Sequence, residues 1–212
     1  MIAVGFTQSP YDWVTDMLRG LWGIMLDMFR NPDELLAAID LFTPMAIQMA
    51  IAGAQQSGNP RIFIPPHRGA AGFMSNEQFA GFYWPSLKTV ILALIEAGLT
   101  PMPFWEGDYT PRLEFLAELP PGKVAGWFDI VDVKKAKEII GGNMCFTGNV
   151  PAQLLIAGTP KQVRDYVRML IETFEDTGGL IINGAVAGVP PESRLENVEA
   201  MTEAVFEYGA YV

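Results

Sequence analysis

Short apolar runs alternate along the chain with longer amphipathic segments, a pattern typical of strand–helix units around a parallel sheet. Each run is too apolar for a sheet with one face in water, which indicates parallel strands covered by helices. The predicted strands span residues 2–7, 61–65, 100–105, 124–129, 144–148 and 180–183. The pattern therefore predicts an α/β fold with six strands.

The segments between these strands carry the start and stop signals of helices. Asn31, Ser75 and Thr159 each lie three residues before a Glu or Gln, the spacing of a capping box. Gly58 and Gly98 follow the last helical residues of two segments, where a left-handed residue ends a helix. No linker or low-complexity tract interrupts the alternation, so residues 1–212 are expected to form one domain.

Two arrangements of six parallel units remain open at this point, a doubly wound sheet and most of a barrel. A dinucleotide-binding sheet carries Gly-x-Gly-x-x-Gly directly after its first strand. The residues there are Thr7, Gln8, Ser9 and Pro10, so the sequence does not favour a dinucleotide-binding fold.

Composition and charge narrow the classes of partner. The net charge of the 212 residues is −10, which disfavours binding to nucleic acid or to an anionic membrane surface. Cys145 is the single cysteine, so no internal disulfide is expected and a cytoplasmic location is predicted. The N-terminal residues lack the pattern of a secretory leader. The apolar run 44–54 is too short for a membrane span and predicts a buried helix.

Several segments resemble the uroporphyrinogen decarboxylase (URO-D) superfamily, which includes cobamide-dependent methyltransferases. They are GFMSNEQFAGFYWPSLK at 72–88, DVKKAK at 132–137, TGNVP at 147–151 and GVPPESRLENV at 188–198. The resemblance implies a (β/α)8 TIM barrel with about six of its eight strand–helix units in this chain. Because an incomplete barrel leaves strand edges and core residues uncovered, we expect self-association or a missing N-terminal segment.

In such barrels the chemistry lies at the carboxyl ends of the strands. His67, the only histidine, and Arg68 follow the second predicted strand. Glu106, Asp108 and Tyr109 follow the third. We predict His67, Glu106, Asp108 and Tyr109 as catalytic residues, and the alternative is that they only hold the loops of the rim.

Substrate contacts are predicted from arginine and from polar or phenolic groups at the strand ends. Arg68 suits a carboxylate or a phosphate, since a guanidinium forms paired hydrogen bonds to either group. The predicted substrate-binding residues are Arg68, Asp129, Asn149, Asn183 and Tyr11.

A metal site is a further expectation. His67, Glu106 and Asp108 offer nitrogen and oxygen ligands for zinc or a harder divalent ion. The resemblance implies a His-x-Cys zinc motif in the methyltransferases, where this chain has Phe104 and Glu106, and a later Cys, where it has Ala187. The thiolate-rich zinc site of those enzymes is therefore missing.

Three functions follow from the resemblance. The first is a methyltransferase that moves a methyl group between a corrinoid carrier protein and a small donor or acceptor. The second is a decarboxylase-type member that needs no cofactor and acts on a tetrapyrrole or another carboxylated substrate. The third is a partial barrel without catalysis of its own, serving as an interaction module.

Overall fold

The fold is a single parallel sheet with helices between its strands. The computed structural model describes residues 5–184 and 188–210. The strands are β1 (Gly5–Phe6), β2 (Arg61–Ile64), β3 (Thr100–Asp108), β4 (Ala125–Ile130), β5 (Cys145–Thr147) and β6 (Leu180–Ile181). They pair in the order β1-β2-β3-β4-β5-β6, and every pairing is parallel. A doubly wound sheet reverses its strand order near the middle, so this sequential order is that of a barrel.

The six predicted strands are confirmed, with differences in their ends. β3 continues to Asp108, three residues beyond the prediction, and carries Glu106 and Asp108 within the strand. Residues 2–4 of the first predicted strand lie outside the described residues. β1 and β6 each pair with one neighbour among the described strands, as in a barrel that holds six of eight units.

Helices connect the strands in sequence. The helices are α1 (Pro10–Val14), α2 (Gly20–Arg30), α3 (Pro32–Ser57), α4 (Asn76–Gln78), α5 (Trp84–Glu96), α6 (Leu113–Leu116), α7 (Val133–Ile140), α8 (Ala152–Ala157), α9 (Pro160–Phe174) and α10 (Leu195–Tyr208). Two π-helical turns, Thr15–Arg19 and Phe79–Tyr83, continue α1 and α4. Short 3-10 turns follow β2 at His67–Gly69 and β3 at Thr110–Arg112.

The helix signals hold at most of the predicted positions. Ser75 and Thr159 each form a complete capping box. Gly58 ends α3 in the left-handed conformation with a φ of 67°. Asn31 also precedes a helix, but its side chain donates to Asp27 instead of capping α3, because its own φ of −140° and ψ of 54° differ from cap geometry.

The two faces of the sheet have different neighbours. Ile62 and Ile64 of β2 are fully buried, whereas Phe63 between them is only partly buried. Side chains alternate between the faces of a strand, so Phe63 points to the side opposite the two isoleucines. There it stacks at 6.3 Å on Phe104, which lies 5.1 Å from Trp127. These aromatic rings line the interior of the partial barrel.

The segment after β1 exposes many apolar side chains. α3 is 26 residues long and contains the run 44–54, so the predicted helix is confirmed, but it buries only one face. By length and composition alone α3 is apolar enough to cross a membrane, a test that core helices of soluble proteins also pass. Trp22, Phe29 and Leu41 are 81%, 76% and 77% exposed. This apolar surface has no covering element among the described residues.

Candidate active site

Polar groups meet where β1 and β2 end. Ser9 caps α1, its Oγ accepting from the backbone N–H of Asp12 at 3.0 Å, and Pro10 occupies the first helical position. The cap turns the chain so that Asp12 and Asp16, four residues apart, lie on the same side of the helical segment. That side contacts the 3-10 turn after β2, which carries His67 and Arg68.

His67 is held on both edges of its ring. Nδ1 lies 3.0 Å from the carbonyl oxygen of Pro65, and Nε2 lies 3.1 Å from Oδ2 of Asp16. A carbonyl oxygen can only accept, so Nδ1 carries a hydrogen. Nε2 is therefore the ring nitrogen that meets the carboxylate of Asp16 at the rim.

Arg68 lies beside this pair. Its Nη2 is 3.7 Å from Oδ1 of Asp16, and its guanidinium carbon is 5.3 Å from the centre of the Phe73 ring. The Nε of Arg68 is buried without a hydrogen-bond partner among residues 5–184 and 188–210. The imidazole of His67 and the guanidinium of Arg68 therefore both adjoin Asp16 at the rim, and the side chain of Asp16 is only 25% exposed.

Asp12 lies beneath the rim and is fully buried. Oδ2 accepts a hydrogen bond of 2.6 Å from the hydroxyl of Tyr83, and Oδ1 accepts from the backbone N–H of Arg68 at 3.3 Å. Burial raises the pKa of Asp12 to about 6, although the nearby His67 and the hydrogen bond from Tyr83 act to lower it. Oδ2 also lies 3.8 Å from Nδ1 of His67.

The loop that carries His67 is supported from below. The hydroxyl of Tyr109 donates to the carbonyl of Pro66, and Nε of Arg112 donates to that of Gly69 at 3.1 Å. Tyr109 is fully buried, and burial raises its pKa well above the usual value. The hydroxyl of Tyr109 therefore supports the loop, and a role of Tyr109 in catalysis stays a prediction.

The carboxylates of β3 and β4 are engaged locally. Oδ1 of Asp108 accepts from the backbone N–H of Thr110 at 2.8 Å, and Oδ2 of Asp129 accepts from that of Gly107 at 3.0 Å. Glu106 is exposed. Asp108 thus stabilises the turn after β3 and Asp129 holds the end of β3, while Glu106 keeps its carboxylate in solvent.

The predicted metal set does not assemble. In the part of the chain that the structure describes, no three His, Cys, Asp or Glu side chains are placed to hold a metal ion. His67 contacts Asp12 and Asp16, which belong to a different element from Glu106 and Asp108. These residues do not fit a zinc ion in their present positions. Ala187 stands where the resemblance implies a cysteine ligand of zinc in the methyltransferases. It lies outside the described residues.

Two of the predicted substrate contacts are used within the fold. Tyr11 is buried, and its hydroxyl contacts Sδ of Met28 at 3.8 Å. Asn149 is buried as well, donating to the carbonyl of Asp129 at 3.2 Å and accepting from the hydroxyl of Tyr166 at 3.1 Å. Substrate contacts of Tyr11 and Asn149 therefore stay predictions, and the contacts observed for both side chains are internal. Asn183 is partly exposed and accepts from the N–H of Gly184 at 2.8 Å.

Asp12 and Asp16 were not among the predicted site residues. The available signal was their spacing of four residues directly after the first strand, which puts two carboxylates on one side of a helix at the active end of a barrel. Composition offered no reason to prefer them over Tyr11, which lies in the same segment.

Comparison with known proteins agrees with the fold and the motifs. The sequence profile described as "Uroporphyrinogen decarboxylase (URO-D)" matches residues 1–208. A uroporphyrinogen decarboxylase from Ruthia magnifica subsp. Calyptogena magnifica is 22% identical over 97% of this chain and 60% of its own length. One from Geobacter metallireducens is 28% identical over 93% of this chain and 59% of its own.

Among solved structures, a methyltransferase from Methanosarcina mazei superposes with a TM-score of 0.78 at 23% identity. The match covers 98% of this chain and 59% of the methyltransferase. The chain thus spans about 60% of the length of the proteins it matches, and the shared part is the six-unit portion of a barrel.

Proposed function

The chain belongs to the uroporphyrinogen decarboxylase family, and on that premise we propose that it carries an acid–base site for a carboxylate-bearing small molecule. The proposal rests on one observation, the contact of 3.1 Å between Nε2 of His67 and Oδ2 of Asp16 with the guanidinium of Arg68 alongside. A proton donor and a cation placed together suit an anionic substrate that gains a proton.

Decarboxylation is the reaction that these groups support best. In that step the bond between a substrate carbon and its carboxylate breaks, carbon dioxide leaves, and the electron pair stays on the carbon. His67 donates its Nε2 proton to that carbon, while Arg68 binds a carboxylate that remains on the substrate. Candidate substrates are a tetrapyrrole or another polycarboxylate. The curated relatives are uroporphyrinogen decarboxylases, which supports this choice.

Methyl transfer is the second candidate, because a solved structure with the same fold is a methyltransferase. It would require a corrinoid protein as partner. Zinc was expected for this reaction, but His67, Glu106 and Asp108 are not placed to hold it together. These positions do not support a zinc-dependent step, so decarboxylation precedes methyl transfer here, the reverse of the order expected from the sequence.

The substrate, the partners and the cellular location belong to the same proposal. Because the chain spans 59–60% of the length of its relatives, we propose that two further strand–helix units complete the barrel and the substrate site. Such units would lie between the open edges of β1 and β6. A cytoplasmic location is also proposed, supported by the single cysteine.

The binding half of the proposal can be tested through His67, whose ring gives the only histidine signals in an NMR spectrum. Titration with acetate, malonate and tricarballylate is expected to shift these signals in the wild type. Arg68→Gln should weaken binding about tenfold or more, since a hydrogen bond to a charged group contributes about 1.5–3 kcal/mol. Arg164→Gln, which changes an arginine of α9, is the matched control.

The chemical half is tested by mass spectrometry of reactions with uroporphyrinogen and the same small acids. The wild-type chain is expected to remove carboxyl groups from its substrate. His67→Gln should lack this activity but still bind carboxylates. Carboxylates that leave the His67 signals unchanged would contradict the proposal. The second candidate would be favoured if the chain transfers a methyl group from a methyl donor to a corrinoid and His67→Gln retains this activity.

A further inference from the structure

The carboxylate of Asp12 lies directly behind His67, on the edge of the ring that faces away from the rim. Its Oδ2 is 3.8 Å from Nδ1 of His67 and 2.6 Å from the hydroxyl of Tyr83. Among the ion pairs of residues 5–184 and 188–210, His67 is the only basic partner of Asp12. The buried carboxylate and the imidazole therefore form one unit.

A neutral side chain would serve the local hydrogen bonds at lower cost. Tyr83 donates one hydrogen bond and the backbone of Arg68 donates a weaker one, and neither needs a negative charge. Burying a carboxylate costs free energy unless a positive charge or strong donors compensate. The charge that can compensate here is that of protonated His67, which lies within 4 Å.

We infer that Asp12 is a positioning residue that acts through His67. It stands with the Pro65 carbonyl on the Nδ1 edge of the imidazole, so that the ring keeps Nε2 directed at Asp16 and the rim. Carboxylates on both edges favour the doubly protonated ring, the form that can donate a proton. This inference rests on the proposed role of His67 as proton donor and extends it to a residue that no substrate touches.

Support for the unit comes from Tyr83. Its hydroxyl is fully buried, and its hydrogen bond joins residues 71 positions apart. It holds Oδ2 of Asp12 on the side that faces Nδ1 of His67. Burial raises the pKa of Asp12 to about 6, so Asp12 gains and loses its own proton in the range where a histidine titrates.

Several other titratable groups face Asp12 and His67. Their effect on the His67 titration must be distinguished from the effect of Asp12. They are Tyr11 and Asp16 on the segment after β1, Arg68 on the turn after β2, Tyr83 before α5 and Tyr109 after β3. Burial keeps the three phenols neutral, since it raises each pKa further above 10. Asp16 and Arg68 are therefore the two additional charges that bear on the His67 ring.

The test follows the pH titration and the tautomer of His67 by NMR of nitrogen-labelled protein without substrate. Asp12→Asn is expected to lower the midpoint of the His67 titration by roughly one pH unit, because an opposite charge 3.8 Å from Nδ1 is removed. The same variant should increase the population of the tautomer with hydrogen on Nε2. Tyr83→Phe, which removes only the hydroxyl that holds Asp12, should give a smaller shift in the same direction.

The matched control is Asp165→Asn, which removes one carboxylate whose side chain is 60% exposed on α9. It should leave the midpoint and the tautomer of His67 unchanged. A folded Asp12→Asn variant with the wild-type midpoint and tautomer would overturn the inference. If that variant does not fold, Tyr83→Phe decides, and an unchanged midpoint in it has the same meaning.

The outcome is independent of the proposed function. The measurement uses no substrate, so a midpoint that moves in Asp12→Asn supports the inference even where carboxylates fail to bind. Carboxylate binding without any effect of Asp12 on His67 would instead support the proposed function and overturn this inference.

Discussion

The guanidinium of Arg112 lies over the ring of Phe79, with 4.6 Å between its central carbon and the ring centre. The same side chain donates to the carbonyls of Gly69 at 3.1 Å and Met74 at 2.6 Å, and to Asn76. Arg112 is fully buried and thus ties the loop that carries His67 to the helical segment after it. The cation–π contact and the three hydrogen bonds together join this loop to the helical segment.

We predict that Arg112→Met lowers the free energy of unfolding by about 3 kcal/mol, since it leaves buried acceptors without a donor. Urea unfolding followed by tryptophan fluorescence measures the change. Arg164→Met, at a surface ion pair, should change stability by less than about 0.5 kcal/mol. Equal effects of the two substitutions would show that the buried contacts of Arg112 do not stabilise the loop.

Gly69 is predicted to tolerate no side chain. A Cβ there would lie 2.5 Å from Oη of Tyr109 and 2.7 Å from Cε1 of Tyr83, both fully buried. Gly69→Ala is expected to lower the unfolding free energy by about 1–3 kcal/mol, because neither ring can retreat into a packed core. The control is Gly72→Ala, whose Cβ meets no atom within 4 Å. Similar melting temperatures for both variants would contradict the prediction.

The strands and most helix ends of this fold were predictable because local signals determine them. Apolar runs of strand length mark the sheet, and the capping boxes at Ser75 and Thr159 depend only on residues three positions apart. Asn31 shows the limit of such signals, since its side chain found a partner in Asp27, four residues earlier.

The candidate site was predictable only in part, because its contacts join distant segments. His67 and Arg68 were identified from their place after a strand, but the sequence does not show that Asp12 meets Tyr83, 71 positions away. Packing also decided which phenols reach the rim. Tyr11 lies next to Asp12 in sequence, yet its ring packs 5.2 Å from that of Tyr83 in the core.

The stability of the chain should depend on pH through Asp12. Its pKa is raised by burial to about 6 in the folded state, above the value near 4 of an unfolded aspartate. Below pH 4 both states hold the proton and no penalty arises. Between pH 4 and 6 the folded state holds more protons than the unfolded state, so stability falls as the pH rises.

The loss through Asp12 is expected to approach about 3 kcal/mol above pH 6, from a pKa difference of roughly two units. Asp12→Asn removes this contribution, so its stability relative to the wild type should rise between pH 4 and 6 and then level off. Urea unfolding at half-unit pH steps measures the difference. A wild-type-minus-variant difference that does not change with pH would contradict the raised pKa.

The exposed apolar surface after β1 predicts self-association. Trp22, Leu26 and Phe29 share one face of α2, because they are spaced by four and three residues. Trp22 and Phe29 alone leave roughly 300 Å² exposed, if an aromatic side chain carries about 200 Å². With Leu41 and Met45 of α3, the surface exceeds the few hundred Å² that monomeric proteins usually expose.

The exposed side chains of Trp22, Leu26, Phe29, Leu41 and Met45 are themselves uncharged, which matters for a chain with a net charge of −10. Copies of the chain repel each other through most of their surface, and contact through apolar side chains avoids that cost. We therefore predict an average mass that rises with concentration in analytical ultracentrifugation. The double variant Trp22→Gln with Phe29→Gln should weaken association at least tenfold, since two buried aromatic contacts contribute more than about 1.4 kcal/mol.

Phe206→Gln tests whether association depends on this surface or on exposed apolar side chains in general. Phe206 on α10 is 81% exposed, as is Trp22, but lies far from α2 in sequence. Its substitution should leave the association unchanged. A monodisperse wild-type monomer at all concentrations would contradict the prediction. Equal weakening by Phe206→Gln would show that the copies associate through a different surface. Association lost only in the double variant would identify α2 as the contact.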